Sequence, residues 1–382
     1  MDIVIFSIPF LTAIFLLIFF KKETVWWEYF VLIVPSILIV LLIRLLMVNG
    51  NMMDTEYLGG YITRITHYDP WDELVEVEHT ETYVSGTDSN GNPIMSTTVY
   101  YTTEREYHSD KWSYCTSFNT GENFCSEKEF SVYKNRLQSK EVFRDMERDY
   151  YKIDGDAHDI FWDKSIAHVY DITKEHNYEN RIKASHSNTI FKYSEISKDK
   201  AKEIGLFDYP SNKDKHQNPI LGREVRDEDS QYIRYLNAVY GKQKEFRMYV
   251  LFFENKDLEI SEMQKAYWQG GNKNEFVVCL GVQKDSVVWC NPFSWCDRPK
   301  LETATREYFI EHPKVNLTEY GKFINPKINT DWERKNFEDF RYIRIGLSKG
   351  EYIALMVVML IINVLLSINI IGNRYENRIE KK

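Results

Sequence analysis

The 382-residue chain carries 48 Lys and Arg against 57 Asp and Glu, a net charge of −9. Residues 51–350 hold 41 of the basic and 51 of the acidic groups, which argues against a nucleic-acid partner, since that needs a basic face. Aromatic residues make up 15% of the chain, too many for a disordered one.

Three apolar runs frame the chain. Ile3 to Phe20 is uncharged, Trp26 to Met47 follows a polar elbow, and Ile353 to Ile371 lies near the C-terminus. Each is long enough for a hydrocarbon core about 30 Å thick, and as a helix each satisfies its own backbone. The reading is an α+β membrane protein with transmembrane helices at 1–22, 24–48 and 352–372. Trp26, Trp27 and Tyr29 suit the headgroup level, and Arg44 near the exit of the second span snorkels to the surface. Asn363 and Ser367 share one helix face and are expected to hydrogen-bond between helices, within the bundle or a homo-oligomer. Glu28 is the one acidic residue within the three apolar runs, a poor basis for a conducting path.

Lys21 and Lys22 fill the elbow; Arg374, Arg378, Lys381 and Lys382 fill the tail at 373–382. The N-terminal start and the exit at Asn49 to Thr63 carry neither Lys nor Arg. The positive-inside rule then places the N-terminus and the central domain outside the inner membrane and the C-terminus in the cytoplasm. A cleaved signal peptide is the rival reading of the first span, but a basic leader and a small-residue cleavage site are lacking.

Residues 51–190 read as a β-rich extracytoplasmic region. Tyr61 to Thr66 is a strand, and Leu74 to Val84 with Ile94 to Glu104 flank a hairpin turn at Asp88 to Pro93. A second hairpin, turned at Asn119-Thr120-Gly121, sets Phe118 opposite Glu122 and Cys115 opposite Cys125, within disulfide reach. Asp154, Asp156, His158 and Asp159 resemble a metal cluster, but a hairpin turned at Asp154-Gly155 between Tyr150 and Trp162 accounts for them. His168, His176 and His186 have no ligand spacing and read as surface residues.

Residues 191–330 read as an α/β region. Ser197 caps a short helix that ends at Gly205, and Ser230 to Tyr240 has helical spacing. Strands follow at Met248 to Phe253, Glu275 to Val282 and Ser286 to Asn291, with helices at Glu259 to Trp268 and Glu302 to Phe309. Residues 331–351 form an amphipathic connector, with Asp331 to Ile343 as a helix. A turn at Lys284-Asp285 sets Cys279 opposite Cys290; Cys290 with Cys296 is the alternative second disulfide. Asn316-Leu-Thr318 is a formal glycosylation acceptor.

The order of elements from Ser230 to Phe309, with Trp268-Gln-Gly-Gly271 before the strand Glu275 to Val282, resembles the TPM domain, a membrane-anchored extracytoplasmic α/β module. The resemblance covers about 80 residues. It departs at Asn274-Glu275, where the family has Asn-Gly, and at Asn291 to Cys296, which replaces a Gly-rich segment. It implies an acidic metal pocket, weak phosphatase activity or an accessory role in a membrane complex. The whole chain is similar to uncharacterised membrane proteins of bacteria and phages.

Glu254, Asp257 and Glu259, at the carboxyl end of the strand 248–253, are the candidate metal ligands, with Ca²⁺ as the candidate ion. A solvated acidic turn that complements a helix dipole is the plainer account of them. Gly270-Gly271 reads as a helix C-cap rather than a phosphate loop, and no local motif supports a Ser-His-Asp or Cys-His site. The expected function is a membrane-anchored binding or accessory protein that engages the lipid bilayer and another envelope protein. The alternative is a membrane-tethered, metal-dependent hydrolase.

Overall fold

The computed structural model describes residues 2–21, 24–119, 121–146, 154–185, 193–210 and 218–379. The expected strand at Tyr150 to Ile153, His186, and the charges of Lys22, Lys381 and Lys382 lie outside them. In chain order the elements are α1 (Asp2–Phe19), α2 (Trp26–Met52), β1 (Met53–Tyr68), β2 (Trp71–Thr87), β3 (Pro93–His108), β4 (Lys111–Thr116), β5 (Asn123–Cys125), α3 (Glu127–Leu137), β6 (Glu141–Arg144), β7 (Ala157–Phe161) and β8 (Asp171–Glu179). Then come α4 (Arg181–Ala184), α5 (Lys198–Ile204), β9 (Ile220–Leu221), α6 (Asp227–Lys244), β10 (Arg247–Glu254), α7 (Glu259–Tyr267), β11 (Glu275–Gln283), β12 (Ser286–Ser294), α8 (Pro299–Glu311), α9 (Leu317–Asp331) and α10 (Lys349–Ile379). The chain divides into two compact units: residues 1–56, 176–194 and 335–382, and residues 57–175 with 195–334.

The first unit is built on α1, α2 and α10. Two helical segments, Trp26–Met52 and Lys349–Gly372, are long and apolar enough to cross a membrane by length and composition. The first apolar run, expected as a third span, is shorter, because the chain leaves helical geometry at Phe20. Ile5 and Ile8 pack with Val40, Leu355 and Met359, while Ala13 and Leu16 pack with Leu32 and Ile370. The helices therefore run up, down and up. Asn51 Nδ2 donates to Glu351 Oε1 at 2.8 Å, tying the C-terminal end of α2 to the N-terminal end of α10. The outer surface keeps Phe10, Phe15, Leu42, Leu46, Leu360 and Leu365 exposed. Within the chain Asn363 and Ser367 do not bridge helices: each bonds a carbonyl of its own helix, at Met359 and Asn363.

The second unit joins two layers. In the first, β1 is central, in the sheet order β5-β4-β1-β7-β6, with β8 also on β1. Ser126 caps α3 in a capping box with Glu129, and the helix buries Phe130, Tyr133 and Leu137 against Ile62, Ile65 and Ile160. Each such side chain contributes roughly 1.5–3 kcal/mol. In the second layer, β9, β10 and β11 run parallel and β12 antiparallel, in the order β12-β11-β10-β9. Met248, Val250 and Phe252 face α6, α8 and α9, whereas Tyr249, Leu251 and Phe253 face α5 and α7, so the strands are apolar on both sides.

The two layers meet backbone to backbone. A Cβ on Gly241 of α6 would lie 2.2 Å from the carbonyl oxygen of Gly59 in β1, and one on Gly59 would lie 2.1 Å from that of Asn237. Asn237 is buried and spends its amide on Met248, donating to its carbonyl at 2.9 Å and accepting its N–H at 2.6 Å. Asn274 Nδ2 donates to the Tyr57 carbonyl at 2.7 Å.

Both expected disulfide registers differ from those observed. Cys125 pairs with Trp112, and Tyr114 with Asn123, three positions from the expected register. An odd shift turns a residue to the other face. Cys125 therefore joins Trp112 and Tyr114 beside the α3 cluster, and Cys115 lies on the opposite face, paired with Arg64. The Lys284-Asp285 turn forms, but a bulge between Gly281 and Val282 sets Leu280 opposite Cys290 and Cys279 opposite Asn291. The Trp289 ring occupies the space where a Gly281 Cβ would lie, and its indole donates to the Lys256 carbonyl. Cys296 donates to the Lys273 carbonyl at 2.8 Å, and all five cysteines are free thiols.

The expected helix Asp331 to Ile343 is absent. Helix α9 ends at Asp331 because Trp332 turns extended and buries its ring at 4.9 Å from Phe246, its indole donating to the Lys244 carbonyl. Beyond it only a 3-10 turn forms, at Phe337–Phe340.

Gly241→Ala is expected to lower the stability of the second unit by about 1–3 kcal/mol, the usual range for overpacking. Gly86→Ala, with open space around it, serves as the control. Thermal unfolding of the full chain in detergent checks both; equal melting temperatures would contradict the close approach.

Candidate functional site

Alternation along β1 gives its sheet two unlike faces. Ile65 and its neighbours carry the apolar face under α3; Arg64, Thr66 and Tyr68 point the other way. The register then brings Arg64 beside Cys115 and Phe161, and Thr66 beside Ser113 and Asp159. Asp159 is 3% exposed and accepts Thr66 Oγ1 at 2.6 Å, Arg144 Nε at 2.9 Å and Arg144 Nη2 at 3.3 Å. Burial pushes its carboxyl up, but these bonds and the nearby Arg64 outweigh it and hold the group below the usual carboxylate range. Tyr68 donates to Glu122 at 2.7 Å; burial and that bond push its phenol up to about 12.

Arg64 belongs to the same network. Its Nη2 donates to Glu122 and lies 3.4 Å from Cys115 Sγ, and its Nε is 3.7 Å from Asp159. A β-bulge between Ile62 and Arg64 interrupts the alternation. Tyr61, Thr63 and Arg64 can then all line one cavity, of about 610 Å³, whose far wall is the C-terminal part of α6. That wall supplies Val239, Lys242 and Gln243; Ser117 and Phe161 complete the sheet side. A volume of this size lies within the range of small-molecule pockets.

The residues singled out from sequence lie elsewhere. Glu254, Asp257 and Glu259 are all exposed at the end of β10 and the start of α7, and their carboxylates do not converge. Among the described residues the one trio of ligand atoms within 4.8 Å of one another is Glu73, Glu106 and His108, across β2 and β3. A hydrogen bond from His108 Nε2 to Glu73 at 3.0 Å and a stack of His108 on Trp71 at 4.3 Å account for that arrangement.

The first arm of the expected Tyr150 to Trp162 hairpin lies outside the described residues; the second, β7, pairs with β6 and β1. Asp154 takes Lys111, Asp156 accepts the Met146 N–H, His158 bridges Asp69 and Glu141, and Asp159 faces the opposite side. His168 pairs with Asp163, and His176 with Glu56. Gly270 and Gly271 adopt positive φ values of 84° and 82° where α7 ends, which is C-cap geometry. Arg64, Ser117 and Lys242 carry no local motif; only the unlike neighbours of Arg64 within an apolar strand mark it in the sequence.

No known family, curated protein or solved structure matches the chain.

His158 gives the site region a testable pH dependence. Its hydrogen bond to Asp69, and then its bond to Glu141, hold the imidazolium above the usual histidine range. His67, 5.9 Å away and bonded to Asp110, is the other imidazole that faces it. A raised folded pKa gives stability that is fully present below the unfolded value near 6.5 and is lost as pH rises through the folded value. The melting-temperature gap between wild type and His158→Gln is therefore expected to be widest near pH 5.5 and to narrow by pH 9. A gap that widens with pH would contradict the assignment.

Proposed function

We propose that this chain is a membrane-anchored binding or accessory protein whose acidic β2–β3 ribbon docks a protein with a cationic surface. The ribbon carries the reading. It has 16 paired positions and is a sheet of its own, joined to no other strand among the described residues. At about 3.3 Å per residue it is about 55 Å long. A free two-stranded ribbon is marginal in water. Here cross-strand contacts support it: His79 stacks on Tyr100 at 5.2 Å and bonds Thr102 at 2.6 Å, and Arg105 pairs with Asp72 at 2.9 Å.

Residues 71–108 contain eight Asp and Glu and one Arg. On one face Leu74, Val84, Met95, Val99, Tyr101 and Tyr107 stand exposed among Asp72, Glu76 and Glu78. Apolar surface of this extent marks an interaction site. Its charge disfavours a second copy of itself and an anionic bilayer, and favours a Lys- and Arg-rich protein surface that fits between the carboxylates.

In this reading α1, α2 and α10 together lie in the bilayer, consistent with the exposed apolar residues around their bundle. The up-down-up order brings the Lys21 elbow and the C-terminal turns of α10 to one end. The positive-inside rule makes that end cytoplasmic and the second unit extracytoplasmic. The resemblance of residues 230–309 to the TPM domain supports an accessory role. The same resemblance also implies the hydrolase alternative, but the three carboxylates it would use stand exposed and apart.

A photo-crosslinking residue at position 101 of the full chain in cells tests the docking claim, with exposed Ile310 as the control position. The expected result is a discrete adduct to a Lys- and Arg-rich peptide of another protein, weakened by Glu76→Lys with Glu78→Lys. Adducts only to a second copy or to lipid, or a pattern equal to that from position 310, would overturn it.

A further inference from the structure

We infer that the cavity between the polar face of the β1 sheet and α6 is a binding site for a small organic monoanion, a carboxylate on a flat apolar body. The inference rests on different residues from the ribbon and stands apart from it.

The charge of the lining selects the head group. Among the described residues Arg64 and Lys242 are the charged ones that line the cavity, and no carboxylate does. This is notable in a unit rich in Asp and Glu. Arg64 has one end committed, since Nη2 is bonded to Glu122 and Nε faces Asp159, which leaves Nη1 without a partner. Glu122 and the Asp159 network offset the charge of Arg64, so it acts mainly as an oriented donor. Lys242, on the α6 wall, has no carboxylate partner among the described residues and supplies the net positive charge. One uncompensated cation with one free guanidinium NH2 group matches one carboxylate. A phosphate dianion would leave a charge unmatched beside Glu122.

The remaining lining shapes the rest of the ligand. Ser117 Oγ accepts the Tyr61 N–H at 3.0 Å, which fixes the oxygen and leaves its own proton to donate. Phe161 and Val239 offer apolar surface on the two sides, and Asn119 and Gln243 add amides at the rim. The volume, about 610 Å³, exceeds what an ion alone needs and suits a body of one or two rings.

The test is calorimetric titration of the full chain in detergent with benzoate and phenylacetate as probes, benzamide as the neutral isostere and phenyl phosphate as the dianion. The expected result is saturable binding of a carboxylate at about millimolar affinity, the scale for so small a ligand. Benzamide and phenyl phosphate are expected to bind about tenfold more weakly, as is the carboxylate to Lys242→Gln, each having lost a charge-assisted contact. Lys300→Gln, at an exposed lysine outside the cavity, is expected to change nothing. Absence of saturable carboxylate binding, equal binding of benzamide, tighter binding of phenyl phosphate, or equal effects of the two lysine substitutions would each overturn the inference.

Discussion

The second unit depends on one close approach, that of β1 and α6 at Gly59 and Gly241. Two missing side chains let a strand and a helix touch through their backbones. Around that contact Asn237 and Asn274 spend their amides on backbone groups of β10 and β1. These polar groups cannot be exchanged for apolar ones without leaving buried carbonyls and N–H groups unpaired, which costs more than the bonds themselves contribute. The arrangement makes one folding unit of a β-rich layer and an α/β layer whose sequence patterns look independent. It also sets the spacing at which the C-terminal part of α6 stands off the sheet and leaves a cavity.

The sheet face towards that cavity is the expensive side of the structure. Asp159 is almost fully buried, and its charge is tolerated because Arg144, Thr66 and Arg64 all point at it. The opposite face packs an apolar and aromatic cluster under α3 and also carries the ion pairs of His67 and His158. A strand with such unlike faces fixes its own register strongly, since a slip of one residue would bury the arginine in the tyrosine cluster. The charged network is thus both a constraint on the fold and the fixed floor of a site, holding Arg64 in place with one donor group to spare.

Much of the fold was legible in the chain because local chemistry set it. Asn90-Gly91 in the β2–β3 turn, with Gly91 at φ 86°, and the Ser197 and Gly205 caps of α5 act within a few residues. Strands β10 and β11 announce themselves as unbroken apolar runs. What stayed hidden was set at a distance. The bulge at Gly281 answers to Trp289, and it alone moves Cys279 away from Cys290. Helix α9 was obscured by Pro326 in its interior, and Asn316, read as a glycosylation acceptor, is its N-cap. Helix α3 carried a legible capping box inside a stretch dominated by strand-forming residues. The cavity could not be read at all, since Arg64, Ser117 and Lys242 come from three elements far apart in sequence. The acidic residues near 254–259 were adjacent in sequence and for that reason conspicuous, yet they stand in solvent.

Two separable surfaces carry the two proposals: a long acidic ribbon for a cationic protein, and an open cavity lined by Arg64 and Lys242 for a small acid. Both depend on the second unit being a single cooperative body rather than two domains on a tether. Native-state hydrogen exchange measures this most directly. The account predicts that the slowest amides of β1, β4 and β7 exchange with the same opening free energy, and the same denaturant dependence, as those of β10 and β11. Two distinct opening energies, with the β1 sheet unfolding while β10 and β11 stay protected, would contradict it.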